Sequence, residues 1–91
     1  MSTNKQWRVE IIIDEHSDQR QTRAEARLHS PDRTGLVGAG LARRSPWDTE
    51  VPEIGDELAV SRALSDLAHK LLEDAASGIE RSTHHAAHLT R

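Results

Sequence analysis

Cysteine is absent from this 91-residue chain, and so are phenylalanine and tyrosine. Without thiols there is no disulfide, no thiolate nucleophile and no cysteine-based zinc site, as expected of a protein from a reducing compartment. Only Trp7 and Trp47 supply aromatic area. Leu, Ile, Val and Ala must therefore form the core, and no row of aromatics exists on which nucleic-acid bases could stack. Long apolar runs are missing too. The opening segment MSTNKQWRVE lacks the apolar stretch of a secretory signal, and nothing later approaches the length a membrane-spanning helix requires. The expectation is a cytoplasmic protein with no membrane partner.

What remains is polar but not as depleted as a disordered chain: 35% of residues are hydrophobic and 30% charged. This length suits one domain over 1–91 with a single core, residues 1–5 and 83–91 being expected as flexible tails. The net charge of −3 is unevenly divided. Residues 1–44 carry eight Lys/Arg against six Asp/Glu, whereas residues 45–91 carry four against nine.

Period-two alternation marks two strands. In WRVEIIID, Trp7, Val9, Ile11 and Ile13 share one face. In TRAEARLH, Thr22, Ala24, Ala26 and Leu28 do the same, and the polar EHSDQRQ between them reads as a hairpin loop. Charge selects the register. Placing Glu10 opposite Arg27 also places Asp14 opposite Arg23, Ile12 opposite Glu25 and Val9 opposite Leu28. A slip of two residues in either direction sets like charges face to face, which destabilises a ladder, and a slip of one turns the apolar set outward. SPDRTG is a turn, and LVGAGLA a third strand. Of its two faces, Val37, Ala39 and Leu41 would bury more area than Leu36, Gly38, Gly40 and Ala42, and are favoured as the buried set.

Beyond a loop, helical spacing aligns Ile54, Leu58, Ser61, Leu64, Ser65, Ala68, Leu71, Leu72, Ala75 and Ile79 in one stripe. Arg62, Asp66, His69, Lys70 and Glu73 line the other side. Leu64, Leu71 and Leu72 are the expected buried anchors. Pro52 and the acids Glu53, Asp56 and Glu57 suit a helix start, and Gly78 suits its end. The helix expected over about 53–77 would be near 38 Å long, longer than a nine-residue strand of about 30 Å. The fold class is thus α+β: a three-stranded antiparallel meander with one long C-terminal helix packed on one face.

Chemical motifs are sparse. GLVGAG has the glycine order G-x-x-G-x-G inside a strand, so it offers no helix N-terminus to a phosphate. His16 and His29 fall at opposite ends of the hairpin, and no serine sits beside an obvious base. An enzyme needs convergent groups in a pocket, and none is evident, so no catalytic residues and no cofactor are expected. At the end of the chain, Glu80, His84 and His88 stand at i, i+4 and i+8, a possible metal set on a continuous helix. With the helix ending at Gly78, His84, His85 and His88 become ordinary tail histidines.

Arg20, Arg33, Arg43 and Arg44 could form a small basic rim for nucleic acid, but Glu50, Glu53, Asp56 and Glu57 at the helix start would repel phosphate. The sheet face away from the helix carries Ile12. Should Val37, Ala39 and Leu41 lie there too, the four would make an apolar patch for a partner or a second copy.

The run VPEIGDELAVSRALSDLAHKLLEDAASGIE, preceded by WRVEIIIDEH and ARLH…LVGAGLARRSP, resembles a family of small actinobacterial proteins of unknown function, over Trp7 to Leu89. The resemblance implies a fold like that of double-stranded-RNA-binding domains and brings no catalytic residues. The chain has neither the leading helix nor the lysine-rich helix start of true RNA-binding members. The function expected is a non-enzymatic, self-associating interaction module, with a weak nucleic-acid binder using the arginine rim as the alternative.

Overall fold

Alternating apolar and polar residues draw three strands into one antiparallel sheet in the order β1-β2-β3, with β1 at Arg8–His16, β2 at Gln21–His29 and β3 at Val37–Arg43. The computed structural model describes residues 2–32, 35–47, 49 and 51–83. A single 3₁₀ turn, Ser17–Gln19, joins β1 to β2 and closes with Arg20 in the left-handed region at φ 52°. The register is the one that charge selects: Glu10 faces Arg27, Ile12 faces Glu25 and Asp14 faces Arg23. One helix, α1 (Pro52–Thr83), covers one face of the sheet. This is the β-β-β-α, double-stranded-RNA-binding-domain-like α+β layout.

The buried face of β3 differs from expectation. Gly38, Gly40 and Ala42 are buried, while Ala39 is exposed and Val37 and Leu41 are half-buried. Proximity outweighs side-chain area here. Gly40 pairs with Ala24 and Gly38 with Ala26, so the sheet offers the helix a nearly flat floor of hydrogens and methyl groups. α1 settles onto it through Ala59, Ala63 and Leu67, all at most 3% exposed. A methyl group at Gly38 would lie 2.5 Å from the backbone nitrogen of Leu67 and closer still to the carbonyl oxygen of Ala63. At Gly40 it would lie 2.5 Å from the nitrogen of Ala63 and closer to the oxygen of Ala59. Helix backbone thus rests directly on strand backbone, a contact only glycine permits.

The helix is accordingly rotated from its expected orientation. Ile54, Leu58, Ser61, Leu64, Ser65, Ala68, Ala75 and Ile79 are exposed, and Leu71 and Leu72 are only half-buried. Leu71 packs against the core edge, but Leu64 is 42% exposed and is no anchor. The stripe follows the largest apolar side chains, whereas the glycine floor accepts the smallest.

α1 also runs past Gly78 to Thr83, whose hydroxyl donates to the carbonyl of Ile79 at 2.9 Å. Gly78 has no positive φ, the backbone state in which glycine stops a helix. Lys70 already lies beside Val37, the first residue of β3, so the last turns overhang the sheet.

Substituting Gly38 or Gly40 by Ala should cost at least about 3 kcal/mol, since the clash is with backbone. Gly78→Ala, at which the added group would approach only Arg81 of the same helix, should stabilise by about 1 kcal/mol. Leu67→Ala should cost about 2–5 kcal/mol and Leu64→Ala clearly less. Urea denaturation of the five variants checks the ranking.

Candidate functional site

Close approach of α1 to β3 has a polar consequence at the sheet edge. Among the described residues the outer side of β3 has no neighbouring strand, so its outward N–H and C=O groups need other partners. Three helix side chains at i, i+4 and i+8 supply partners for three of these groups. Arg62 donates to the carbonyl of Leu41 at 2.6 Å, Asp66 accepts from the N–H of Ala39 at 2.9 Å, and Lys70 donates to the carbonyl of Val37 at 2.6 Å. Lys70 also pairs with Asp66 at 3.2 Å. The side expected to be a solvated helix face is therefore a clamp on the strand. Of that set His69 and Glu73 pair with each other at 2.7 Å.

The clamp lowers the Asp66 pKa, first through the hydrogen bond from Ala39 N–H and then through Lys70. The two glycines on one strand face, matched by Ala59 and Ala63 one helical turn apart, are the signal in the sequence that could have located it.

At the opposite edge β1 has no further strand beside it among the described residues. Because Val37, Ala39 and Leu41 turn their backbone groups away from β2, their β2 partners Arg27, Glu25 and Arg23 turn theirs toward β1. These bond Glu10, Ile12 and Asp14. Val9, Ile11 and Ile13 consequently aim N–H and C=O outward, and among the described residues nothing meets them. α1 touches β1 only lightly, leaving Val9 and Ile13 42% and 40% exposed on the helix side. A shallow apolar recess lies between Ile13 and Val60, Ser61 and Leu64 of the helix.

Ile12, Val37, Ala39 and Leu41 all lie on the sheet face away from α1. They do not form one patch, because Arg23, Glu25 and Arg27 of β2 stand between Ile12 and the other three.

Arg20, Arg43 and Arg44 are brought together by the strand ends. All three line a cleft of about 430 Å³ whose apolar side is built by Val51, Ile54 and Leu58. The N–H of Arg44 donates to the carbonyl of Arg20 at 2.9 Å, tying the hairpin turn to the end of β3. Arg33 lies outside the described residues, as does Glu50. His16 and His29 do stand at opposite ends of the hairpin, where His29 approaches Glu10 at 3.6 Å. Glu80 is on α1, while His84, His85 and His88 lie outside the described residues. Among the described residues no three His, Asp or Glu side chains are grouped to hold a metal ion, and no helix is long and apolar enough to cross a membrane.

A lowered folded-state pKa means that Asp66 contributes stability above its unfolded value, near 3.8, and that the contribution is lost as pH falls through the lower folded value. Asp66→Asn keeps an acceptor for Ala39 but no charge. It should be less stable than the parent at pH 7, and the difference should shrink as pH falls below the ordinary carboxylate range, as read by urea midpoints along an acid series.

The fold is shared with solved and curated proteins. A crystal structure of Rv2632c superposes with a TM-score of 0.81 at 48% identity, covering 92% of this chain and 96% of that one. Among curated proteins, the uncharacterized protein Mb1767 of Mycobacterium bovis is 53% identical over 83 residues, 91% of this chain and 85% of its own length. The uncharacterized protein Rv2632c of Mycobacterium tuberculosis is 50% identical over 80 residues, 88% of this chain and 83% of its own length. The Rv2632c-like family model matches residues 5–88, and with that extent of agreement the chain belongs to the Rv2632c-like family.

Proposed function

We propose that this protein is a small, non-enzymatic interaction module that associates with itself. The observation that carries this reading is the inequality of the two sheet edges. Exposed edge strands invite pairing, and proteins that need to stay apart blunt them. Here Arg62, Asp66 and Lys70 occupy the β3 edge, while the nine-residue β1 keeps the outward backbone groups of Val9, Ile11 and Ile13 uncovered among the described residues, with Val9 and Ile13 exposed. α1 adds a second exposed apolar surface through Ile54, Leu58 and Ile79, more than a monomer needs to display. Size-exclusion chromatography with light scattering should show a dimer at micromolar concentration that changes little between low and high salt. A monomer at every concentration up to the millimolar range contradicts the reading.

A second reading, weak nucleic-acid binding, draws on the convergence of Arg20, Arg43 and Arg44 on one cleft. It requires salt-sensitive binding of duplex RNA or DNA, because released counterions set the affinity. In a low-salt gel assay the double variant Arg43→Ala with Arg44→Ala should weaken any shift, and no shift by the parent protein ends this reading.

A further inference from the structure

The geometry points to one mode of self-association: we propose that two copies pair antiparallel through β1, about a twofold axis at Ile11, to make a continuous six-stranded sheet. This deepens the self-association reading and rests on it.

Backbone geometry makes the pairing available. Val9, Ile11 and Ile13 are the residues whose N–H and C=O point away from β2, and antiparallel strands bond through such outward-pointing residues set opposite one another. β3 is obstructed, since Arg62, Asp66 and Lys70 lie across its outer edge and hold the carbonyl of Leu41, the N–H of Ala39 and the carbonyl of Val37. Among the described residues β1 is the edge that no helix side chain crosses.

Side chains then choose the register, by the rule that sets β1 against β2 within the chain. With Ile11 opposite Ile11 of the second copy, Val9 faces Ile13 and Arg8 faces Asp14, twice over by symmetry. The apolar row on the helix side becomes continuous, and each outer-face charge at the strand ends meets its opposite. Among the described residues neither Arg8 nor Asp14 already makes an ion pair. Sliding the axis to Glu10 sets Glu10 against Glu10, and sliding it to Ile12 sets Glu10 against Asp14. Like charges directly opposite are destabilising, so both neighbours lose to the Ile11-centred register.

The test uses two charge reversals on the whole chain. Arg8→Asp places Asp opposite Asp14 of the second copy at two points, and Asp14→Arg places Arg opposite Arg8. Each variant alone should dimerise about tenfold or more weakly than the parent. An equimolar mixture should recover the parent's affinity, because in the mixed dimer every pair is again opposite in sign. Loss of intrachain stability cannot produce that recovery. Independently, Ile11→Cys introduces the sole thiol at the axis, where Cα atoms about 5.5 Å apart permit a disulfide. Mild oxidation should cross-link the dimer, whereas Val37→Cys should not.

A parent protein that stays monomeric overturns both self-association and this pairing. A parent dimer indifferent to both reversals and to Ile11→Cys oxidation overturns the β1 pairing alone. If Leu58→Glu then abolishes that dimer, the contact belongs to the exposed stripe of α1.

Discussion

Backbone-to-backbone contact between β3 and α1 is the constraint on which the rest of the molecule depends. Two glycines separated by one residue put the strand floor at zero height, and Ala59 and Ala63 keep the facing helix surface low. No large side chain is completely buried anywhere among the described residues, so this core works by closeness rather than by bulk. Dispersion contacts fall off steeply with separation, and a lean core must be tight to be stable. A side chain at either glycine would meet the helix backbone between Ala59 and Leu67.

From that closeness the edge clamp follows. Only a helix lying low and over to the β3 side can bring Arg62, Asp66 and Lys70 within hydrogen-bonding distance of the strand's outer backbone. Their charge adds strength, because hydrogen bonds with an ionised partner are stronger than neutral ones. The same displacement leaves β1 without cover. One placement of one helix therefore closes one edge of the sheet and opens the other, and the surface on which a partner could act is a by-product of how the core is packed.

Strands, order and register were legible from residues because alternation and charge are local signals. Glu10 facing Arg27 needs no knowledge of the helix. The helix was legible in existence but not in orientation. Ile54, Leu58 and Leu64 advertise a face that the sheet does not take, since area-based reasoning cannot see that Gly38 and Gly40 pay no steric penalty for contact. Asp66 likewise reads as a solvated charge until the strand edge beside it is known. Gly78 suggested an end to α1, yet nothing around it sets the left-handed backbone that would end a helix. Of the arginine rim, Arg43 and Arg44 are adjacent in sequence, but only the hairpin turn shows that Arg20 joins them.

Amide hydrogen exchange at Ala39 reports whether α1 lies low enough for its side chains to occupy the β3 edge. An edge N–H facing solvent exchanges readily, whereas one held by a carboxylate does not. Ala39 should be protected to a degree comparable with the paired amides of the sheet interior. In Asp66→Ala that protection should fall selectively while Ala26 keeps its own. An Ala39 amide that exchanges like an unpaired one in the parent protein, or that ignores removal of Asp66, would mean that the helix does not hold the β3 edge.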